Sequence, residues 1–179
     1  VFRIFDALND INNLEFSIKQ VKENSKHAQA AMAYTVSPVH KIDYWLDLAK
    51  KFEDLGVDSI AIKDMSGILK PYVAFEMISK LKEIISVPIH MQTHATAGLS
   101  TSTNLKAVKA GIDNLDTSRS SMSLTYGHFP TESIVSSIED SERATVLDLS
   151  KLQIDVAYFK HVNVNYSEFK GSLKGGVTH

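Results

Sequence analysis

Residues 59–67, SIAIKDMSG, and residues 88–94, PIHMQTH, are two short apolar runs that end abruptly in polar residues. Between them, bulky apolar side chains recur at helical spacing, namely Tyr72, Phe75, Ile78, Leu81 and Ile85. This order predicts a strand, a crossover helix and a second, parallel strand. Because parallel strands joined by a right-handed crossover point the same way, we expect Lys63 and His94 to lie at one edge of a sheet.

The same alternation of strand and helix extends in both directions from this unit. Strands are predicted over residues 1–5 and 28–34, and another is predicted to end at Asp116 and Thr117. The helices are predicted over residues 10–24, 42–52, 101–110 and 131–138, with a last helix that Asp148 or Ser150 caps. The chain is therefore predicted to contain about five consecutive βα units and a C-terminal helix.

A local repeat supports this interpretation. Residues 56–58, GVD, and residues 111–113, GID, each follow a predicted helix and precede a predicted strand. A glycine that ends a helix, an apolar anchor and a turn acid are typical of successive βα units. We expect the two triplets to occupy equivalent places in the fold.

Five βα units predict an α/β protein with a parallel sheet, either doubly wound or part of a (β/α)8 barrel. A dinucleotide-binding sheet would carry a glycine-rich turn after its first strand, whereas residues 6–9 read DALN. Polar residues close all the predicted strands, namely Asp6, Thr35, Lys63, His94 and Thr117. This favours a partial (β/α)8 TIM barrel, since a complete one takes about 250 residues. Two open sheet edges then predict self-association or a missing barrel half.

Composition limits the classes of function. The chain has 179 residues, 44% of them hydrophobic, with 8 Gly, 4 Pro and a formal charge of -2, which suits one globular domain. We expect that domain over residues 1–169 and a flexible tail over residues 170–179. Neither a basic stripe for nucleic acid nor an apolar run for a membrane is present in the sequence. The absence of Cys fits a cytoplasmic location.

Four motifs occur in order along the chain: residues 2–9, FRIFDALN; 62–69, IKDMSGIL; 93–98, THATAG; and 125–128, TYGH, followed by TES at 131–133. Together they resemble the carboxyltransferase domain of biotin-dependent enzymes. The resemblance is closest to the α subunit of oxaloacetate decarboxylase, with pyruvate carboxylase and the transcarboxylase 5S subunit as relatives. It implies a lyase or transferase segment that covers part of a TIM barrel.

The resemblance also implies a reaction and its participants. Such domains move a carboxyl group between a small 2-keto acid and biotin on a separate carrier domain, with the help of a divalent metal such as Zn, Mn or Co. Lys63 matches the catalytic lysine that the family carbamylates and uses as a metal ligand. His94 matches the second histidine of a His-Thr-His ligand pair, and the first falls on Gln92. The implied metal ligands are therefore Lys63, His94 and Gln92.

The chemistry of these residues leaves two hypotheses open. Residues 92 and 94 face the same side of a strand, but a neutral amide is a weaker ligand for a transition metal than an imidazole. A lysine ammonium cannot bind a cation unless it is carbamylated or deprotonated. The chain is either a segment of a working carboxyltransferase or a degenerate, non-catalytic relative that acts as a structural or interaction module.

Several neighbouring residues have structural interpretations. Arg3 is expected to pair with Asp6, and Lys63 has Asp64 or Asp6 as a possible ion-pair partner. His128 is expected to make a structural hydrogen bond at the same edge. Leu124 would be strained by about 1–2 kcal/mol if its loop needs a positive φ.

Overall fold

Strands and helices alternate along the chain in the computed structural model, which describes residues 1–124, 127–166 and 168. The strands are β1 Phe2–Phe5, β2 Ala28–Ala33, β3 Ser59–Asp64, β4 Ile89–Thr93 and β5 Asn114–Leu115. The helices are α1 Ile11–Glu23, α2 Ile42–Asp54, α3 Pro71–Ile84, α4 Ser100–Lys109, α5 Thr131–Ile138 and α6 Leu149–Asn165. The predicted βα units and the C-terminal helix are confirmed.

Within the described residues, the strands form one five-stranded parallel sheet in the order β1-β2-β3-β4-β5. A doubly wound sheet would reverse its strand order at a switch point, and this sheet does not. Strands that follow one another around the sheet in sequence order are typical of a barrel. The fold is therefore part of a TIM barrel, as predicted.

Curvature of the sheet is visible in one side-chain contact between its two outer strands. Arg3 on β1 forms a salt bridge with Asp116, which follows β5 directly. In a flat sheet four inter-strand steps would separate these strands by about 19 Å, beyond the combined reach of the two side chains. The sheet therefore bends towards the face that carries Arg3, which is the concave interior of the barrel segment.

The hydrophobic core lies between the convex face of the sheet and the helices. Its largest fully buried side chains include Trp45, Phe52, Met32, Ile60, Ile62, Met77 and Leu81. Phe75 and Phe159 are only partly buried.

Tyr72, the first of the apolar residues at helical spacing, does not join the core, because its side chain is 75% exposed. The buried residues of α3 are Ala74, Met77, Ile78 and Leu81. At 100° per residue, Tyr72 lies about 200° around the helix from Ala74 and therefore points away from the sheet. Its ring instead lies beneath the ammonium of Lys106, 4.5 Å from the ring centroid.

The two repeated triplets occupy equivalent places, as expected. Gly56 and Gly111 both adopt a left-handed φ, +75° and +93°, after α2 and α4 respectively. Asp58 then accepts a hydrogen bond from the backbone of Ala28 at 2.8 Å, and Asp113 accepts one from Ile89 at 2.8 Å. Each carboxylate also pairs with a lysine in the last turn of a helix, Lys22 and Lys82 respectively. Each acid thus fixes the beginning of a neighbouring strand.

Some predictions lie outside the described residues, namely those for Thr125 and Tyr126 of the fourth motif and for the tail at residues 170–179. The domain extent of residues 1–169 stays a prediction. None of the helices in the described part of the chain has the length and apolar character needed to cross a membrane.

Candidate functional site

Lys63, Gln92 and His94 form a hydrogen-bonded line at the carboxyl edge of the sheet. Lys63 and Gln92 are direct partners across β3 and β4. Lys63 Nζ donates to Gln92 Oε1 at 2.9 Å, and Gln92 Nε2 lies 3.2 Å from His94 Nε2. Because an amide nitrogen is only a donor, it donates to the ring nitrogen of His94. The predicted proximity of Lys63 and His94 is confirmed, while their roles stay predictions.

The surroundings of Lys63 are partly apolar and partly charged. Its ammonium lies 4.9 Å from the ring centroid of Phe5, on the interior face of β1. Burial and then the nearby Arg3 guanidinium lower the pKa of Lys63 from its usual value, while Asp116 opposes the shift. Lys63 is therefore a partly buried amine in the barrel interior.

Arg3 does not pair with Asp6, so that expectation is wrong. Its guanidinium instead bonds to Gln29 and to the carboxylate of Asp116 across the concave face. Asp6 lies beyond the end of β1, where its carboxylate accepts hydrogen bonds from backbone amides of the following loop. These amide bonds lower the pKa of Asp6. Curvature of the sheet, which brings Asp116 within reach, decides the partner of Arg3.

Asp64 does not pair with Lys63 either, because successive residues of a strand face opposite sides. The Asp64 side chain is fully buried and accepts hydrogen bonds from the amides of Ile68 and Leu69, at 3.1 and 2.9 Å. It also accepts one from the Thr93 hydroxyl at 2.9 Å. Sequence reasoning missed this role, although an Asp three residues before a Gly at a strand end is a turn signal.

Gly67 brings the loop after β3 against the loop after β4. It adopts a left-handed φ of +68°, and a Cβ at this position would lie 2.4 Å from the His94 carbonyl oxygen. The His94 amide in turn donates to the Asp64 carbonyl at 3.0 Å. The two loops next to the site are thus in close backbone contact.

His128 closes the site from the loop that precedes α5. Its Nδ1 lies 3.2 Å from the Thr93 carbonyl oxygen and therefore donates to it. Its ring centroid lies 4.9 Å from that of His94, with the planes tilted by 48°. The structural hydrogen bond predicted for His128 is confirmed. Leu124, in the same loop, has a φ of +64°, the left-handed conformation considered for it from the sequence.

A second polar layer lies on the concave face towards the amino ends of the strands. His90 Nε2 lies 3.1 Å from Asn114 Nδ2, and His27 Nε2 lies 2.7 Å from the Ser59 hydroxyl. Burial and then Arg3 lower the pKa of His90 from its usual value. Sequence reasoning missed the hydrogen bonds of this layer because their partners come from different segments of the chain.

The donor atoms of the site, as arranged, do not fit a divalent metal. The Gln92 oxygen already accepts from Lys63, an ammonium is only a donor, and the Gln92 amide donates to the ring nitrogen of His94. Within the described residues, no group of three or more His, Asp or Glu side chains could hold an ion. The assignment of Lys63, Gln92 and His94 as metal ligands stays a prediction.

A protein-family model described as HMGL-like matches residues 7–157. Among curated proteins, a pyruvate carboxylase subunit of Methanocaldococcus jannaschii is 46% identical over 166 residues, which cover 93% of this chain and 29% of that protein. The methylmalonyl-CoA carboxyltransferase 5S subunit of Propionibacterium freudenreichii subsp. shermanii is 40% identical, covering 95% of this chain and 34% of that subunit. The chain therefore spans about a third of these relatives.

Among solved structures, the carboxyl transferase domain of Rhizobium etli pyruvate carboxylase with pyruvate and biocytin matches with a TM-score of 0.94 and 35% identity. The match covers 98% of this chain and 30% of that chain. Such a score over nearly the whole chain means that the strands and helices described above have counterparts in that domain. The chain is homologous to the carboxyltransferase domains of pyruvate carboxylase and transcarboxylase.

Proposed function

The chain belongs to the HMGL-like family, and from this premise we propose that it forms part of a carboxyltransferase that moves a carboxyl group between a 2-keto acid and biotin on a separate carrier domain. The observation that carries the proposal is the hydrogen-bonded line of Lys63, Gln92 and His94 at the carboxyl edge of the curved sheet. In TIM-barrel enzymes the active site is at this edge.

The relatives support carboxyl transfer as the common reaction. One is a pyruvate carboxylase subunit and another a methylmalonyl-CoA carboxyltransferase subunit. A related domain was solved with pyruvate and biocytin, a keto acid and a biotin derivative. Identity of 40–46% with these relatives favours this function over that of a degenerate, non-catalytic module. Oxaloacetate, pyruvate and methylmalonyl-CoA are the candidate carboxyl donors and acceptors.

Lys63 is the side chain best placed to meet a keto acid. When a carboxyl group leaves the carbon next to a ketone, negative charge develops on the keto oxygen, and a positioned donor stabilises it. Lys63 carries its donor on the concave face, and Gln92 fixes the ammonium through the bond at 2.9 Å. His94 and His128 border the same space from the loops after β4 and before α5.

Partners are expected at the sheet edges as well as at the site. Within the described residues, β1 pairs only with β2 and β5 only with β4. Phe2 and Phe5 on β1 are 54% and 46% exposed. Further strands of the barrel, or a second copy of the chain, would cover these groups. The cytoplasmic location expected from the composition stays a prediction.

The test measures pyruvate formation from oxaloacetate by the purified full-length protein, with and without free biotin. Replacement Lys63→Met is expected to lower the rate by about 100-fold, the typical effect of losing one donor to a developing oxyanion. Lys80→Met serves as the matched control, because Lys80 pairs with Glu76 on the exposed face of α3. No pyruvate formation with biotin present, a wild-type rate that free biotin does not raise, or equal rates for Lys63→Met and wild type would contradict the proposal.

A further inference from the structure

We propose that Lys63 stays an ammonium in this protein and takes the place of a divalent metal, binding an oxygen of the 2-keto acid anion directly. The inference rests on the proposed function, which supplies the keto acid as ligand. It departs from the carbamylated lysine and metal ion that the resemblance implies.

Two groups in contact with Lys63 attract a cation, although burial and Arg3 lower the pKa of its ammonium. Its Nζ donates to the Gln92 carbonyl oxygen at 2.9 Å and lies 4.9 Å from the ring centroid of Phe5. Both the carbonyl oxygen and the face of an aromatic ring carry partial negative charge, which attracts an ammonium. A carbamate would place anionic oxygens against the face of the Phe5 ring and, with the Gln92 amide oriented as it is, against its carbonyl oxygen.

Gln92 is committed at both ends of its amide. It is only 6% exposed, its oxygen faces Lys63, and its nitrogen faces the ring nitrogen of His94. Turning the amide over would direct its N–H groups at an ammonium, which has no acceptor. The amide orientation in this structure therefore matches a Lys63 side chain that donates. A histidine at position 92 could instead present a ring nitrogen to a metal.

The charge of Lys63 is not neutralised by an ion pair within the described residues. Asp116, the nearby acid, is engaged by Arg3, and these two charges offset one another. Asp64 faces the other side of β3 and holds backbone amides. One positive charge thus remains at the carboxyl edge of the sheet. An anion is the ligand that it would bind, through a charge-assisted hydrogen bond.

The first experiment measures binding of oxalate, a stable analogue of the enolate of pyruvate, by calorimetry with the purified full-length protein after dialysis against EDTA. We expect the affinity to change by less than about twofold when Mn or Zn is added back, because no metal is needed. Lys63→Met should weaken binding by about tenfold or more, the scale of one charge-assisted hydrogen bond. Lys80→Met should leave it unchanged.

Lys63→Arg separates an ammonium role from a carbamate role. A guanidinium keeps the positive charge and is not carbamylated, so we expect this variant to retain more affinity for oxalate than Lys63→Met does. If arginine and methionine at position 63 weaken binding equally, a positive charge is not what the site uses, and the proposal fails. Circular dichroism on each variant checks that the fold is retained.

The second experiment tests whether Lys63 is carbamylated and whether the protein holds a metal, without an assay of activity. Carbon-13 NMR in labelled bicarbonate is expected to show no protein carbamate in the wild-type protein, and elemental analysis less than about a tenth of an equivalent of Zn, Mn or Co. Gln92→His is expected to raise the metal content, because two histidines then face the same side of β4. A carbamate signal lost in Lys63→Arg, together with one equivalent of metal in the wild type, would overturn the proposal.

The two proposals fail in different ways. Carboxyl transfer that appears only with added metal would leave the proposed function standing and overturn the ammonium role. Oxalate binding through Lys63 without metal, in a protein that transfers no carboxyl group, would leave the ammonium role standing and overturn the proposed function.

Discussion

Gly67 is the residue whose replacement is expected to disturb the site most. Gly67→Ala would combine a left-handed φ of +68° with a Cβ only 2.4 Å from the His94 carbonyl oxygen. We expect a loss of about 3 kcal/mol or more in the free energy of unfolding, since backbone atoms must move. Gly56→Ala is the matched control: its φ is +75° but nothing lies within 4 Å, so about 1 kcal/mol is expected. Urea denaturation measures the free energy of unfolding of both variants. Equal losses in the two would contradict the predicted steric role of Gly67.

Leu124 carries backbone strain that a glycine would relieve. Its φ of +64° disfavours a side chain by about 1–2 kcal/mol, while glycine adds a smaller entropic cost in the unfolded chain. Leu124→Gly is therefore expected to raise the free energy of unfolding by about 1 kcal/mol. Leu147→Gly, at a residue of nearly equal exposure, 49% against 48%, should lower it. Urea unfolding measures both free energies. A lower stability for Leu124→Gly than for Leu147→Gly would contradict backbone strain at Leu124.

At the residue scale, sequence reasoning located the site but not the partners within it. The positions of Lys63 and His94 followed from the ends of two apolar runs, which a parallel sheet brings to one edge. The partner of Arg3 did not follow, because Asp116 is 113 residues away and is brought near only by the curvature of the sheet. The Lys63 to Gln92 bond depends on strand register, which the sequence pattern leaves open.

Asp58 and Asp113 make equivalent contacts, each with a lysine at the end of a helix and with the first amide of a strand. Both have pKa values below the usual range. For Asp58 the causes are first the bond from Lys22 and then the Ala28 amide. Burial would raise the pKa of Asp113, but the Ile89 amide and Lys82 together lower it. A carboxylate with a lowered folded pKa stabilises the fold at neutral pH. That contribution is lost as the pH falls from the unfolded pKa of about 4 through the folded one.

Replacing both acids by Asn should therefore reduce the pH dependence of stability. We expect the double variant to lose about 1 kcal/mol at pH 7 relative to wild type, a figure that allows for solvent screening, and much less below about pH 3. Asp140→Asn is the control, since the exposed Asp140 makes no hydrogen bond or ion pair within the described residues. Urea denaturation across this pH range checks the result. Parallel curves for the double variant and wild type would contradict the role of the two acids.

At the scale of elements, helices were easier to predict than the last strand. The start of α6 after its Asp148 cap and the end of α2 before Gly56 follow from local chemistry that the sequence displays. Strand β5 is assigned only to Asn114–Leu115, although the Asp116 amide still bonds to the Met91 carbonyl at 2.9 Å. Its end depends on a partner strand and not on its own residues.

The contact between Arg3 and Asp116 belongs to the scale of the whole molecule, because it joins the first and last strands of the sheet. Both side chains are 28% exposed, so the pair is partly shielded from solvent. We expect a double-mutant cycle with Arg3→Met and Asp116→Asn to give a coupling of about 1–2 kcal/mol in the free energy of unfolding. The same cycle on Lys80 and Glu76, an exposed pair on α3, should give less than about 0.5 kcal/mol. Equal coupling energies for the two pairs would contradict a larger contribution of the Arg3–Asp116 pair to the free energy of unfolding.

The architecture of the whole molecule was predictable because each unit repeats the same signals. Apolar runs that end in polar residues, such as those ending at Lys63 and at His94, establish the strands and their common edge. The polar layer inside the sheet was not predictable, since His27, Ser59, His90 and Asn114 lie on four different segments. Which of these side chains meet depends on the register between strands, and the sequence pattern does not specify that register.

The close fit of Gly67 against the His94 carbonyl limits how the loops after β3 and β4 can move. The strand ends next to these loops are also joined, because the Thr93 hydroxyl and the His94 amide both donate to Asp64, so neither loop swings open alone. The entropy of ordering these two loops is lost when the chain folds. Ligand binding at this edge of the sheet therefore does not include that entropic cost.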